Sequence, residues 1–319
     1  MTIAVLFPGQ GSQEVGMGAR LREASPAAER LFVLAEQITG LPLRELCTSG
    51  PAAALTRTSV AQTAVVATSL AAAAHLQEVV GSMPHACAVA GHSVGELAAM
   101  CWAGALDIET VLRLVHERGR LMERDSAGVD GTMVAVLGLD RSELERICSD
   151  VSSTKEGTAE VANCNAPGQV VLSGERTAIQ RASERALAAG ARRVLPLVVG
   201  GPFHSAYMKG ASRDFRAAAA SARIERPRIP IVLNTTATAT DDIEDLRNEL
   251  PTQITHPVLW DDSVRALAVM GCTTFLELGA GQVLSGLLRR TLPGATALAA
   301  GTPDAVASAA ELFTAETGA

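Results

Sequence analysis

The chain has 319 residues, of which 48% are hydrophobic and 19% are charged, while aromatic residues make up only 3%. This composition excludes a disordered chain, and the scarcity of aromatic rings argues against a surface that stacks on nucleic-acid bases. The formal charge of 27 minus 34, or −7, speaks against a general binder of nucleic acid or of anionic membranes. The six cysteines form no C-x-x-C pair, so we expect reduced thiols, no metal site and no redox dithiol.

The sequence gives no sign of membrane targeting. Its N-terminus reaches Pro8 and Gly9 before an apolar run is long enough for a signal peptide. The Ala-rich run from Thr63 to Leu76 is shorter than the ~18 apolar residues that a membrane span requires. We therefore expect a cytoplasmic protein without a membrane partner. We also expect a monomer, because the predicted elements leave no apolar stripe uncovered.

The first third of the chain predicts an α/β domain. The apolar run 3–7 ends at Pro8-Gly9, which is typical of a buried parallel strand before a Gly-rich loop. Helical spacing of apolar residues follows at 17–39 and 60–80. A second apolar strand, 86–90, then turns through Gly-His-Ser-Val-Gly into a helix from Glu96. Strand, Gly-x-Ser-x-Gly and helix in this order indicate an α/β-hydrolase-like fold with a parallel sheet.

From Gly131 the pattern changes to short pieces in the order β-α-β-β-α-β, which predicts a ferredoxin-like subdomain. We place this insert at 129–198, inside a large catalytic α/β domain formed by 1–128 and 199–319. The tail from about Gly301 is rich in Ala, Thr and Glu and is expected to be peripheral. The remaining predicted elements are strands 133–137, 160–164, 169–172, 193–198, 229–233 and 274–278 and helices 141–150, 175–189 and from 261.

Ser93 is the candidate nucleophile. The glycines on either side permit a strained turn that lifts the hydroxyl off the sheet, and the following helix N-terminus supplies N–H groups for an oxyanion. An ordinary strand–helix turn is the alternative, since the five-residue pattern is common in a chain rich in Gly, Ser and Ala. The preceding strand and the following helix favour a nucleophile.

A serine hydroxyl needs a base, and His204 is the candidate. It follows a predicted strand that runs into a Gly-Gly-Pro loop, where α/β sheets present side chains to ligands. His92 adjoins the serine and should point away from it in a supporting role. The other histidines are interpreted as structural or as lining a turn: His75, His85, His116 and His256.

Arg118 has two possible roles. It is either a solvated arginine at a helix end, as we expect for Arg120, or a guanidinium fork for a carboxylate. The spacing of residues does not decide between them.

Five motifs occur in order and together resemble the malonyl-CoA:acyl carrier protein transacylase family, which includes discrete acyltransferases of polyketide synthases. The resemblance runs from residue 1 to about 290. The motifs are Phe-Pro-Gly-Gln-Gly-Ser-Gln at 7–13, Gly-His-Ser-Val-Gly-Glu at 91–96, Arg-Gly at 118–119, Asn-Ala-Pro-Gly-Gln-Val-Val at 165–171 and Gly-Pro-Phe-His-Ser at 201–205.

The resemblance implies that the malonyl group acylates Ser93 and that His204 activates this serine. Gln10 and the backbone N–H of Val94 would form the oxyanion hole, and Arg118 would pair with the free malonyl carboxylate. The resemblance therefore favours the interpretation of Arg118 as a carboxylate-binding residue over that of a solvated arginine at a helix end.

Further implied positions surround this pair. The backbone carbonyl of Gln253 would orient the histidine, so that no acidic residue is needed there. Gln62, Met122 and Phe203 would line the substrate pocket, and the bulk of Phe203 favours malonyl over methylmalonyl. Two residues depart from the family pattern: Thr63 stands where proline is common and His256 where asparagine is frequent.

The leading hypothesis is therefore transfer of malonyl from malonyl-CoA to the phosphopantetheine thiol of an acyl carrier protein, without a cofactor or a metal. A serine hydrolase or editing thioesterase is the nearest alternative, and a catalytically silent subunit that binds a carrier protein is another. Fatty-acid and polyketide synthesis both stay open. The negative chain would need local basic residues for CoA and an acidic carrier, and the candidates are Arg192, Arg193, Lys209, Arg289 and Arg290.

Overall fold

The computed structural model describes residues 2–153 and 157–314, which form two β-sheets flanked by helices. The strands are β1 (Ile3–Phe7), β2 (Ala88–Gly91), β3 (Gly131–Leu137), β4 (Ala159–Ala166), β5 (Gln169–Glu175), β6 (Arg193–Pro196), β7 (Ile231–Val232), β8 (Ala239–Thr240), β9 (Thr274–Leu278) and β10 (Thr296–Ala300).

The helices occupy most of the remaining chain. They are α1 (Ala19–Ala24), α2 (Pro26–Thr39), α3 (Leu43–Ser49), α4 (Ala52–Thr56), α5 (Thr58–Val80), α6 (Gly95–Trp102), α7 (Ile108–Ser126), α8 (Arg141–Ser152), α9 (Arg176–Ala188), α10 (Lys209–Ser221), α11 (Ile243–Thr252), α12 (Trp260–Val269), α13 (Val283–Thr291) and α14 (Pro303–Thr314).

The large sheet has the order β10-β9-β1-β2-β7-β8 and is parallel except for the β7–β8 hairpin. All five residues of β1 are buried, as expected for a central parallel strand covered on both faces. Phe7 at the end of β1 lies opposite Gly91 at the end of β2. The loops that follow these two strands therefore meet at one edge of the sheet, which brings the Gln10 loop next to the Ser93 turn.

The small sheet has the antiparallel order β4-β5-β3-β6, with α8 and α9 packed on one face. This is the β-α-β-β-α-β arrangement that the sequence predicts. Its other face contributes Met133, Ala135 and Val171 to the core of the large domain. The sheet runs from Gly131 to Pro196, and the limits of the insert at 129 and 198 stay a prediction.

One of the described helices, α5, is long and apolar enough to cross a membrane, with a mean hydropathy of 1.3 over its most apolar window. However, 83% of that window is buried inside the protein. Its length and hydropathy therefore fit a core helix, and every residue from Thr58 to Ala72 is buried.

The expectation of six reduced thiols is wrong for two of them, because Cys87 and Cys272 are paired in a disulfide. Cys87 precedes β2 and Cys272 precedes β9, the two strands that flank β1. The sheet order brings the two residues together across 185 positions of sequence, which no local spacing could reveal. Cys47 is free, and burial raises the pKa of its thiol to about 12.

The expectation of a peripheral tail after Gly301 is wrong for residues up to 314, while 315–319 lie outside the described residues. Helix α14 packs its apolar side against the core. Val306, Ala309 and Phe313 are buried there. Much of α14 is alanine, with Val306, Leu312 and Phe313 as its larger apolar residues, so its inward face is not evident from composition.

The packing around Gly95 gives a stability prediction. A Cβ at Gly95 would lie 2.3 Å from the Phe7 carbonyl oxygen and 2.6 Å from that of Pro8, so Gly95→Ala must displace backbone. We expect a loss of about 1–3 kcal/mol or more in the free energy of unfolding, measured by urea titration.

Gly286 in α13 is the matched control, because a Cβ there meets no heavy atom within 4 Å. Gly286→Ala should leave stability unchanged or raise it by about 0.5–1 kcal/mol. Equal destabilisation by both substitutions would contradict the proposed close approach of β1 and α6.

Candidate active site

The turn between β2 and α6 holds Ser93 in a left-handed conformation with φ 50°. The glycines on either side are required, since a Cβ at Gly91 would lie 2.1 Å from the carbonyl carbon of Gly95. A non-glycine residue in this region costs about 1–3 kcal/mol, which the surrounding structure must offset. The serine is thus held away from the sheet at the start of a helix, as the Gly-x-Ser-x-Gly pattern predicts.

Ser93 forms a hydrogen-bonded pair with His204. The serine Oγ lies 2.8 Å from His204 Nε2. On the other side of the ring, Nδ1 faces the carbonyl oxygens of Gln253 at 2.7 Å and His256 at 3.1 Å. A carbonyl only accepts, so the proton sits on Nδ1 and leaves Nε2 as the acceptor for the serine hydroxyl. The arrangement orients a neutral histidine without a carboxylate.

The environment of His204 keeps it neutral. Burial lowers its pKa from 6.5 to about 3, and the positive charge of Arg118 contributes to the same shift. The carbonyl acceptors on Nδ1 raise the pKa of His204, but burial and Arg118 lower it by more. His204 therefore retains its basic form well into the acidic range.

Arg118 lies inside α7 and points into the protein, with 1% of its surface exposed. Its guanidinium donates to Gln62 Oε1 at 2.7 Å, to Gln253 Oε1 at 2.7 Å and to Ser93 Oγ at 3.2 Å. Burial lowers its pKa to about 10, so it stays charged at neutral pH. Since all these partners are neutral oxygens, the charge has no direct acidic partner among the described residues and is available to an anion.

Sequence reasoning missed the carboxyl group that organises these side chains. Glu96, in the first turn of α6, is fully buried. It accepts from the backbone N–H of Asn234 at 2.9 Å, from Asn234 Nδ2 at 2.7 Å and from Gln253 Nε2. Burial and the neighbouring Glu249 raise the pKa of Glu96, while these N–H donors counteract the rise. A Glu one residue after the Gly-x-Ser-x-Gly pattern was the only signal in the sequence.

Asn234 connects Glu96 to the backbone of Ser93 through hydrogen bonds. It follows β7 at the same edge of the sheet, and its Oδ1 accepts from the backbone N–H of Ser93 at 2.7 Å. Its Nδ2 also donates to the carbonyl of Gly91 at 2.7 Å. Because both ends of the amide are bound, the strained turn is held from the side of the neighbouring strand.

Two hydrogen-bond donors beside Ser93 lack acceptors within the described ranges. One is the buried Nε2 of Gln10, whose Oε1 accepts from Gln62 at 3.4 Å, and the other is the backbone N–H of Val94. Both adjoin the serine, one from the loop after β1 and one from the start of α6. An oxygen in this place would satisfy both donors.

The serine opens onto a cavity of about 70 Å³ between the large domain and the small sheet. Four further residues that the sequence predicts for the site line it with Ser93 and His204, namely Gln10, Gln62, Met122 and Phe203. Phe203 is 5% exposed. The structure therefore brings together residues from widely separated parts of the chain.

His92 supports the turn, as its place in the motif suggests. Its Nε2 lies 2.9 Å from Asn165 Oδ1 in the small sheet, and its ring lies 5.3 Å from that of Trp260. Burial lowers the pKa of His92. The side chain thus joins the serine turn to β4.

Three of the five predicted basic residues have described surroundings. Lys209 borders a cleft of about 380 Å³ that also contains His204 and His256. Arg290 donates to Gln169 Oε1 and the Pro167 carbonyl at the β4–β5 turn, and Arg192 packs against Gly138, whose N–H donates to the Gly168 carbonyl of that turn. Lys209 therefore shares a cleft with His204, whereas Arg290 and Arg192 lie at the small sheet.

A second junction of strand, Gly-containing loop and helix lies between β9 and α13 and resembles the serine turn. At this junction, however, a side chain of the protein itself binds the N–H groups at the start of the helix. The buried carboxylate of Glu277 accepts from the backbone N–H groups of Leu284 at 3.0 Å and Ser285 at 2.7 Å.

In the described part of the chain, no group of three or more His, Cys, Asp or Glu side chains could hold a metal ion.

A pH profile tests the environment of His204. The second-order rate of Ser93 modification by phenylmethylsulfonyl fluoride reports the free protein, and we expect it to stay flat from pH 7 to pH 5. An ordinary histidine loses its basic form as pH falls through 6.5, whereas one with a pKa of about 3 does not. Arg118→Gln should raise the midpoint by removing a positive charge. A wild-type midpoint near 6.5 would contradict this environment.

A strained serine hydrogen-bonded to a neutral histidine, next to unused N–H donors, is the arrangement typical of α/β enzymes that work through an acyl-serine. The chain belongs to the acyl transferase domain family, whose model matches residues 5–312. It is 38% identical over 305 residues to the malonyl CoA-acyl carrier protein transacylase of Bacillus subtilis (strain 168), with 95% of each chain covered.

Solved structures agree with this membership. The acyl-carrier-protein-S-malonyltransferase from Bartonella henselae superposes with a TM-score of 0.93 at 35% identity, over 98% of this chain and 100% of that one. A malonyl-transacylase solved in complex with a type II PKS acyl-carrier protein gives the same TM-score, identity and coverage. The predicted family and fold class are confirmed.

Proposed function

We propose that this protein transfers malonyl from malonyl-CoA to the phosphopantetheine thiol of an acyl carrier protein through an acyl-serine. The observation that carries the proposal is the buried, charged Arg118 within 3.2 Å of Ser93 Oγ. The names of the relatives, which are malonyl transacylases, support the same donor and acceptor.

In the first half-reaction, Ser93 Oγ attacks the thioester carbonyl carbon while its proton moves to His204 Nε2. The oxyanion accepts hydrogen bonds from Gln10 Nε2 and the Val94 N–H. Collapse of this intermediate breaks the carbon–sulfur bond, and the CoA thiolate takes the proton from His204. Malonyl is then esterified to Ser93.

The second half-reaction reverses these steps with a different thiol. The phosphopantetheine thiol of the carrier protein gives its proton to His204 and attacks the serine ester. Ser93 Oγ leaves and recovers the proton. The protein's own side chains handle every proton, so we propose no cofactor. We further propose a cytoplasmic monomer, in which the same site serves a carrier of either fatty-acid or polyketide synthesis.

Arg118 supplies selectivity for the acyl group. Its guanidinium can bind the malonyl carboxylate, whereas an acetyl group would leave a buried charge unpaired, at about 2–5 kcal/mol. Phe203 is buried beside His204 and lines the cavity, so we propose that its bulk disfavours an α-methyl branch.

Intact-mass spectrometry tests transfer against hydrolysis. Malonyl-CoA should add one malonyl group to the wild-type chain, and the adduct should pass to an added phosphopantetheinylated carrier protein. Ser93→Ala should show no adduct. Clearance of the adduct by water at an unchanged rate with the carrier present would support a thioesterase instead, and the absence of any wild-type adduct would support a silent carrier-binding subunit.

Arg118→Gln tests acyl selectivity. We expect malonyl loading to fall by about 10²-fold or more while acetyl loading is unchanged or improved, because only malonyl loses a charge partner. Arg120→Gln is the control, since Arg120 pairs with Glu117 on the exposed side of the same helix. Equal loss of both acyl groups in Arg118→Gln would mean that this arginine is only structural.

A further inference from the structure

Asn163 lies in β4 and faces the active site. It is opposite Val171, whose side chain belongs to the core shared with the large domain, while the adjacent Cys164 lies in the core of the small sheet. Register shifts in β4 occur on both sides of Asn163, and such irregularities commonly re-aim side chains next to active sites. Asn163 lines the same cavity as Ser93 and His204.

The carboxamide of Asn163 is open to the cavity. The residue as a whole is 6% exposed, and no hydrogen bond to its side chain occurs within residues 2–153 and 157–314. Its amide atoms are nevertheless not fully buried, because the cavity reaches them. Its neighbour Asn165, by contrast, is bound to His92 at 2.9 Å. An amide that borders a reaction cavity and binds no described residue has both its donor and its acceptor free for a ligand in that cavity.

The proposed malonyl group has no polar atom left for Asn163. Arg118 is assigned to its carboxylate, and Gln10 and Val94 are assigned to its thioester oxygen. The polar atoms that remain belong to the pantetheine arm, where two methylenes separate the sulfur from a secondary amide. Met133, Leu197 and Val199 line the same cavity and suit the methylenes.

We propose that Asn163 binds the first amide of the pantetheine arm through its own amide donor and acceptor. The inference rests on the proposed function and extends it, because CoA and the carrier protein both present this arm. One contact then places the sulfur beside His204 in each half-reaction. Asn163 thus recognises what donor and acceptor share, whereas Arg118 recognises the group that moves.

The test uses two thioesters of nearly equal shape. Malonyl-N-acetylcysteamine keeps the first amide, and malonyl pentyl thioester replaces the amide with methylenes. The kcat/KM for acylation of Ser93 is measured by intact mass for the wild type, Asn163→Ala and Asn163→Asp, with the exposed Asn248→Ala as control. Two Asn163 variants are included so that a folding defect in one does not end the test.

In the wild type and in Asn248→Ala, the amide-containing thioester should react at least tenfold faster than the pentyl thioester. In the Asn163 variants, its rate should fall about tenfold while the pentyl thioester reacts at the wild-type rate. Equal losses for both thioesters, or no loss for either, would overturn the contact. Acylation of the wild type by malonyl-CoA is measured alongside, and its absence would overturn the proposed function and with it this contact.

Discussion

The hydrogen bonds to the buried carboxyl group of Glu96 fix the geometry of the whole site. Gln253 directs its Nε2 toward Glu96, so its Oε1 must face Arg118. Asn234 likewise directs its Nδ2 toward Glu96, which leaves its Oδ1 for the Ser93 N–H. Since an amide has one donor end and one acceptor end, one carboxyl group sets the orientation of both. Ser93, the proposed nucleophile, and Arg118, the proposed carboxylate-binding cation, therefore depend on the same buried acid.

Gln253 also separates Arg118 from the carboxyl group of Glu96. Arg118 and Glu96 would neutralise each other in direct contact, and the arginine would then have little affinity for a substrate carboxylate. With an amide between them, the acid still favours the charged form of the buried guanidinium. At the same time, the backbone carbonyl of Gln253 orients His204, so the base is held without a second carboxylate. One residue thus contacts both His204, the proposed base, and Arg118, the proposed selectivity residue.

The local signals in the sequence predicted the strands around β1 and β2, the Ser93 turn and the β-α-β-β-α-β insert, because each is encoded within a short segment. The place of Arg118 required the family resemblance, since a helix position does not reveal which face is buried. Glu96 and Asn234 act through hydrogen bonds between elements that are far apart in sequence. The Cys87–Cys272 pair likewise depends on the order of the strands, and the inward face of α14 is hard to predict because much of the helix is alanine.

The carboxylate of Glu277 at the start of α13 has a consequence for how the protein handles anions. Two helix N-termini follow strands of one sheet, and bare N–H groups at either would attract a negatively charged oxygen. At α13 the carboxyl group of Glu277 already accepts hydrogen bonds from these N–H groups, so an anion would have to compete with it. At α6 the N–H of Val94 is left open. Of these two junctions, the one beside Ser93 is therefore the one whose N–H stays open to a negatively charged oxygen.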